Sequence, residues 1–286
     1  MCREPPSGGG PCATNPISGA IHASAWGWHY EGMKWTIEPA ASHVPIIACL
    51  PHGGLEYPPD LAVDLAMSPD ELRSDMLTRE LYDFLPELGI TTITTSYSRF
   101  VADVNRDPGG DQHGAFRDSV VAAYLSSGRR LYRQALTPEQ ISYRIGLAHE
   151  PFHRALDDAI GRLLSQHQRI LLLDLHSFGI DLGGDIIVGD RHGTTADPAT
   201  TCRVQQAIIA ATGLDVRLNQ RYIGGWTVKR FAAHDRVDAV AIEVNQRCYL
   251  DFSQRRYPAK PPIRDFDQTR RRLHLALQQI VTECSS

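Results

Sequence analysis

The stretch ILLLDLHSFG, residues 170–179, decides the class of fold. Its apolar residues follow one another without alternation, which is typical of a central strand covered on both faces of a sheet. The stretch then ends in three polar residues, Asp174, His176 and Ser177. Loops at the carboxyl ends of such strands carry functional groups over a rigid floor. The stretch therefore predicts a buried strand, over 169–177, that ends in a site.

Short runs of apolar and β-branched residues alternate with helical patterns along the rest of the chain. Further strands are predicted at 44–50, 90–97, 185–190, 214–219 and 238–245. Helices are predicted over 68–88, 137–167, 197–212 and 266–283. The first two helical patterns begin with the start signals Ser-Pro-Asp-Glu and Thr-Pro-Glu. This alternation predicts an α/β fold, a three-layer α/β/α sandwich around a mostly parallel mixed sheet.

Charge and composition narrow the class of partner. The chain of 286 residues has a formal net charge of -4 and a hydrophobic content of 42%, which is ordinary for a globular protein. Nucleic acids and anionic membranes bind concentrated positive charge, so neither is expected as a partner. A small-molecule substrate fits better.

The cysteines and the apolar runs bear on the compartment. The six cysteines form no CxxC pair, which favours free thiols in a reducing compartment. No apolar run reaches the ~20 residues of a membrane span, and no signal-peptide pattern is recognisable. We therefore expect a soluble, cytoplasmic protein.

The domain organisation is predicted from composition. Residues 1–25 are rich in Gly, Pro and Ser, and such a segment buries too little apolar surface to offset the entropy of ordering it. We expect a flexible leader over 1–25. Beyond it the composition is even, without a repeat or a linker-like stretch. Residues 26–286 are predicted to form a single catalytic domain.

Two predicted strands end in histidine, and the pair suggests a shared metal. The run IIACLPHGG brings His52 to a Gly-Gly turn, and LLLDLHS brings His176 to an equivalent position. Catalytic zinc usually takes three ligands from the protein, so a third is needed. Glu56 and Asp75 are the candidates, although each acid also fits a solvated position. Asp174 shares a strand face with His176 and could orient its imidazole or serve a structural hydrogen bond.

Two more clusters place polar residues at predicted strands. The segment SRFVADVNRDP carries Arg99, Asp103, Asn105 and Arg106. Its guanidinium groups could clamp a substrate carboxylate, or the cluster could be an Arg-Asp network that ties a loop. Glu243 lies inside the apolar strand AIEVN, where an ionised carboxylate is costly unless it is paired or functional. Its useful role would be that of a general base toward a metal-activated water.

Five motifs, in order, resemble those of the N-formylglutamate amidohydrolase (N-formylglutamate deformylase) family. They are PHGG, SRFVADVNRDP, LLLDLHS, NQRYIGGWTVKRFA and AIEVNQRCYLD, and with GRRLYR and HEPFH between them the resemblance extends over about 44–252. That family is related in fold to the zinc carboxypeptidases and to the aspartoacylase and succinylglutamate desuccinylase group. The resemblance implies a zinc-carboxypeptidase-like (phosphorylase/hydrolase-like) sandwich with one Zn²⁺ per chain.

The resemblance also implies an activity and its central residues. The reaction would convert N-formyl-L-glutamate and water to formate and L-glutamate, a step of histidine degradation, through zinc-activated water. His52 and His176 would bind the zinc together with an acidic ligand, for which we prefer Asp75 to Glu56. Glu243 would match the general base of the carboxypeptidases.

Further residues are matched to the substrate. Asn105 and Arg106 look like the pair that holds the substrate carboxylate in the family. Arg99 would polarise the scissile carbonyl or bind a second carboxylate, and Arg221 is another substrate-side candidate. Ser177 would either bind substrate or simply terminate its strand.

Two alternatives stay open at this point. One is a deacylase, desuccinylase or carboxypeptidase-type hydrolase of another N-acyl amino acid or of a peptide. The other is a non-catalytic carboxylate-binding protein on the same scaffold, which the presence of His52, His176 and Glu243 disfavours. The oligomeric state is not specified by the sequence.

Overall fold

A computed structural model describes residues 35–38, 44–72, 74–251 and 263–284. The leader predicted for 1–25 lies outside the described residues. Nine strands lie within the described part of the chain: β1 (Trp35–Glu38), β2 (Ile46–Leu50), β3 (Thr91–Thr95), β4 (His113–Gly114), β5 (Val121–Ala122), β6 (Ile170–Phe178), β7 (Ile186–Gly189), β8 (Val216–Leu218) and β9 (Val237–Asn245).

Seven α-helices accompany these strands in the described residues. They are α1 (Pro59–Ala62), α2 (Thr78–Leu81), α3 (Pro138–Arg144), α4 (Glu150–Gln166), α5 (Pro198–Thr212), α6 (Trp226–Phe231) and α7 (Phe266–Cys284). Short 3₁₀ turns occur at Pro69–Glu71, Leu85–Leu88 and Gln246–Cys248, and a π-helical turn at Ile145–His149 joins α3 to α4. Among the described helices, none combines the length and apolar character that crossing a membrane requires.

Seven of the strands form one mixed sheet in the order β1-β3-β2-β6-β9-β7-β8. The central strands β3, β2, β6 and β9 are parallel to one another. β1 is antiparallel to β3, β7 is antiparallel to β9, and β8 is parallel to β7. β4 and β5 form a separate two-stranded ladder. The predicted mostly parallel mixed sheet is confirmed.

Side chains alternate between two apolar cores, one on each face of the sheet. On β6, Leu172 packs into the core that contains residues of α4 and α6, whereas Leu171 and Leu173 pack into the core that contains residues of α5 and α7. Successive strand residues point to opposite faces, so Asp174 and His176 follow Leu172 on the α4 side. The three-layer α/β/α sandwich is therefore confirmed, and its period brings both polar residues to one face.

The helix predicted over 68–88 is wrong. The chain forms a 3₁₀ turn at Pro69–Glu71, the short helix α2 and a second 3₁₀ turn at Leu85–Leu88 instead. Leu77 precedes α2 with φ 57°, a left-handed conformation that an uninterrupted helix does not contain. Asp75 lies in the irregular stretch between, where Ser177 N donates to its Oδ2 over 3.0 Å. This tertiary contact overrides the local helical pattern.

Candidate active site

His52, Asp75 and His176 meet at the carboxyl ends of β2 and β6. Asp75 Oδ1 lies 3.4 Å from His52 Nδ1, and Asp75 Oδ2 lies 2.9 Å from His176 Nδ1. One ligand atom from each residue lies within 4.8 Å of the others, and all three side chains are buried. Two imidazoles and a carboxylate in this arrangement are the donor set of a catalytic zinc or similar divalent metal.

Asp75 reaches this position because of the irregular segment before α2. Its Oδ2 accepts a hydrogen bond from the backbone N–H of Ser177, which anchors the carboxylate at the end of β6. Glu56, the other acid considered as the third ligand, is exposed, and its backbone forms an isolated β-bridge with Tyr97. The structure therefore brings Asp75, and not Glu56, together with His52 and His176.

A buried carboxylate lies behind each histidine. His52 Nε2 lies 2.7 Å from Asp103 Oδ1, and His176 Nε2 lies 3.0 Å from Asp174 Oδ1. When each Nε2–H donates to its carboxylate, the Nδ1 lone pair of each ring is directed toward Asp75. Carboxylate–histidine pairs of this kind fix the tautomer and orientation of metal-binding imidazoles. The donor set thus fits a divalent cation in its chemistry.

The charges of the site favour the same conclusion. Burial would raise the pKa of Asp75, but His52 and His176 outweigh it and hold this pKa well below its usual range. Burial would likewise raise the pKa of Asp103, which Arg106 and Arg99 hold well below its usual range. Asp75 and Asp103 therefore favour their ionised forms, and an ionised Asp75 between two imidazoles is suited to bind a divalent cation.

Glu243 lies beside His176 on the neighbouring strand. The two residues are Cα partners in the parallel ladder of β6 and β9, and Glu243 lines the same pocket as the three ligand candidates. Burial raises the pKa of Glu243 to about 7, and the nearby carboxylates of Asp75 and Asp174 act in the same direction. A carboxyl group with such a pKa can accept and return a proton near neutral pH.

The pocket above these residues has a volume of about 770 Å³ and a lining rich in charged side chains of both signs. Three aspartates lie on its wall as well, Asp107, Asp111 and Asp118. The cationic side chains on the lining are Arg99, Arg106, Arg117, Arg191, Arg221 and Lys229. Such a density of guanidinium groups is suited to a small molecule that carries carboxylates.

Comparison with known proteins identifies the family. The family model of N-formylglutamate amidohydrolase matches residues 44–250. The chain belongs to the N-formylglutamate amidohydrolase family. Membership of this family makes the chain a hydrolase that acts on an amide bond.

Two curated relatives and one solved structure are similar to the chain over most of their length. The N-formylglutamate deformylase of Pseudomonas aeruginosa is 31% identical over 226 residues, which cover 73% of this chain and 83% of the relative. That of Pseudomonas putida is 30% identical over 229 residues, covering 74% and 84%. The crystal structure of N-formylglutamate amidohydrolase from Ralstonia eutropha JMP134 superposes with a TM-score of 0.76 at 22% identity, covering 88% of this chain and 98% of that one. At 22% identity, this last similarity is evidence for the fold alone.

The predicted substrate residues of this amidohydrolase lie in two kinds of environment. Arg99, Arg106 and Arg221 line the pocket, Arg221 from a backbone with φ 59°. Ser177 also lines it, and its Oγ accepts a hydrogen bond from Gln246 Nε2 at 3.1 Å. These roles stay predictions.

Asn105 is less accessible than Arg99 and Arg106, and both polar atoms of its amide are bonded inside the protein. Nδ2 donates to Asp174 Oδ2 over 3.0 Å, and Oδ1 accepts from Thr227 N at 2.8 Å. The side chain is only 4% exposed. It therefore lies at the edge of the pocket with both polar atoms engaged.

Sequence reasoning missed the partnership of Asp103 with His52. The two are 51 residues apart, and Asp103 also pairs with Arg99 and Arg106. One signal could have revealed it: β2 and β3 are neighbouring parallel strands, so the segments that follow them meet at one edge of the sheet. The basic residues Arg117, Arg191 and Lys229 were also missed, since charged loop residues carry no pattern of their own.

Proposed function

We propose that this chain hydrolyses N-formyl-L-glutamate to formate and L-glutamate with the help of one divalent metal ion. The observation that carries the proposal is the buried group of His52, Asp75 and His176 beside Glu243, at the floor of a pocket lined by basic side chains. The Pseudomonas relatives are named N-formylglutamate deformylases, which supports this choice of substrate.

The metal would be held by the Nδ1 atoms of His52 and His176 and by the carboxylate of Asp75. A Zn²⁺ ion bound there would supply Lewis-acid polarisation and make water more acidic. The chain's own part is to orient the ligands. Asp103 and Asp174 fix the two imidazoles, and the backbone N–H of Ser177 fixes the Asp75 carboxylate.

Glu243 is the proton carrier in this proposal. It accepts the proton of the attacking water and returns it to the amine that leaves as glutamate. Its place opposite His176 in the ladder holds it at the floor of the pocket, next to the ligand candidates. Its pKa of about 7, raised by burial, suits both halves of this proton transfer.

The arginines bind and polarise the substrate. Arg99 Nη1 lies 3.4 Å from His52 Nδ1, so the guanidinium group is next to the three ligand candidates. From there it stabilises the oxyanion that develops on the formyl carbonyl. A glutamate substrate carries two carboxylates, and the guanidinium groups of Arg106 and Arg221 are suited to bind them by paired hydrogen bonds. Positioning by these contacts supplies part of the rate enhancement.

A substrate panel tests the proposal. The Zn²⁺-loaded protein is assayed with N-formyl, N-acetyl and N-succinyl derivatives of L-glutamate and L-aspartate, and with N-formyl-L-leucine as the uncharged control. We expect formate release from N-formyl-L-glutamate to have the highest kcat/KM, with N-formyl-L-leucine at least about 100-fold lower because it lacks the second carboxylate. Preference for another acyl group would assign a deacylase or desuccinylase instead, and turnover of none would indicate a non-catalytic binding protein.

A further inference from the structure

The side chain of Asn105 bridges two parts of the site. Its Nδ2 donates to Asp174 Oδ2 over 3.0 Å and lies 2.9 Å from His176 Nε2. When His176 Nε2–H donates to Asp174, this contact between two nitrogens is not a hydrogen bond, so the amide acts on His176 through Asp174. Its Oδ1 accepts from the backbone N–H of Thr227, in the first turn of α6. The two bonds also assign the amide orientation, because a carboxylate accepts only from Nδ2 and a backbone N–H donates only to Oδ1.

The backbone on both sides of Asn105 is held as firmly as its side chain. His153 Nε2 lies 2.7 Å from the carbonyl oxygen of Val104, and His149 Nε2 lies 2.9 Å from the carbonyl oxygen of Arg106. Asn105 N donates to Asp103 Oδ1 over 3.0 Å. The HEPFH motif thus has a physical role: its two histidines brace the carbonyls that flank Asn105.

The amide of Asn105 is closely packed against Gly225. A Cβ at Gly225 would lie 2.4–2.6 Å from the amide atoms of Asn105, so the glycine is required by the approach of this side chain. A rotation of Asn105 toward a substrate would break its bonds to Asp174 and Thr227 and leave these buried groups unsatisfied. The contacts favour a side chain that stays where it is during catalysis.

We propose that Asn105 is a positioning residue that orients the Asp174–His176 pair for metal binding, rather than a residue that binds the substrate carboxylate. Asp174 is held between the Nε2–H of His176, the amide of Asn105 and the thiol of Cys49, which donates to Oδ1 over 3.4 Å. Without the amide, the carboxylate can turn away from His176, and the imidazole loses its orientation. The inference rests on the proposed function, since it assumes that His176 binds the metal.

The test compares metal affinity with substrate affinity in matched variants. Wild type, Asn105→Ala, Asn105→Asp and the double variant Asn105→Asp/Asp174→Asn are freed of metal and titrated with Zn²⁺ against a competing chelator. KM and kcat for N-formyl-L-glutamate are measured on the same proteins at saturating Zn²⁺. Arg221→Gln is the control, because Arg221 lines the pocket and is predicted to act on the substrate alone.

The expected result is a 10–100-fold loss of Zn²⁺ affinity in Asn105→Ala, with KM changed by less than about threefold, since loss of an outer partner of a metal ligand typically has this effect. Asn105→Asp should lose more, because two carboxylates then face each other. The double variant restores an amide–carboxylate pair of reversed polarity and should recover at least about tenfold of the affinity lost in Asn105→Asp. It serves as the decisive variant where Asn105→Ala fails to fold.

Two results would contradict the positioning role of Asn105, and a third would separate that role from the proposed function. Unchanged Zn²⁺ affinity in Asn105→Ala together with a raised KM, as expected for Arg221→Gln, would make Asn105 a substrate residue. A double variant as weak as Asn105→Asp, and weaker than Asp174→Asn alone, would equally contradict positioning. A wild type that binds Zn²⁺ through the pair but releases no formate would contradict the proposed function and leave this inference in place.

Discussion

The two halves of the site are built by different means. The strand half, Asp174, His176 and Glu243, lies on the neighbouring strands β6 and β9, where the ladder pairs His176 with Glu243. The loop half, His52, Asp75 and Asp103, lies on segments outside the strands and is assembled by hydrogen bonds. In the strand half the backbone register sets the geometry. In the loop half buried side-chain bonds must set it, so the loop half depends more on each single residue.

The largest expected effect on turnover comes from a substitution in the strand half. Glu243→Gln keeps the shape of the side chain but removes its ability to accept a proton, so kcat for N-formyl-L-glutamate should fall by about 10²–10⁴-fold. Zn²⁺ content should be unchanged, because Glu243 is outside the group of three ligand candidates. Formate release and metal analysis on the same preparation check both statements. Retained turnover would remove Glu243 from the role of base.

Substituting the carboxylate behind each histidine allows the two halves to be compared directly. Asp103→Asn and Asp174→Asn should each lower Zn²⁺ affinity by about 10–100-fold, since each weakens the orientation of one imidazole. Only Asp103→Asn should also raise KM, because Asp103 additionally pairs with Arg99 and Arg106 on the pocket wall. Chelator competition and steady-state kinetics measure the two effects. Equal KM values in both variants would mean that the loop half does not position the arginines.

The hydrogen bond between His153 and the carbonyl of Val104, the residue after Asp103, is expected to affect the pH dependence of stability. Burial, aided by His149, lowers the pKa of His153 from 6.5 to about 3. The unfolded state therefore binds the proton more readily, so this residue's contribution is complete above pH 6.5 and is lost as the pH falls from there toward 3. His153→Gln removes this dependence. It should be less stable than wild type at pH 7 by about 1 kcal/mol, through a weaker bond to Val104, and the gap should close or reverse by pH 5.

Urea unfolding of the metal-free proteins at the two pH values tests this smallest effect. His192→Asn is the matched control, since His192 is exposed and its left-handed backbone, φ 59°, is tolerated by asparagine. That control should keep the wild-type pH dependence. A stability gap between wild type and His153→Gln that stays constant from pH 7 to pH 5 would contradict the buried, neutral state assigned to His153.

The strand half was largely predictable from the sequence. The apolar run before Asp174 and His176 predicts a buried strand, and its period of two places both side chains on one face. Glu243 inside AIEVN was recognisable because a carboxylate in an apolar strand requires a partner or a function. These inferences needed only local pattern.

The loop half was less predictable, because its contacts join distant parts of the chain. Asp75 and His176 are 101 residues apart, and the contact of Asp75 with the end of β6 replaces the helix that local propensity predicts over 68–88. His52 and Asp103 meet only because β2 and β3 are adjacent. Asn105 was matched to the substrate by its motif, and its bonds to Asp174 and Thr227 required the folded structure.

The central claim is that Asp75 completes a metal site with His52 and His176, and one pair of variants tests it most directly. Metal-free wild type, Asp75→Ala and Glu56→Ala are titrated with Zn²⁺ against a competing chelator. We expect one tight equivalent in wild type and in Glu56→Ala, and a loss of affinity in Asp75→Ala greater than the roughly 100-fold upper value for an outer partner. An Asp75→Ala protein that still binds one equivalent as tightly as wild type would contradict the account.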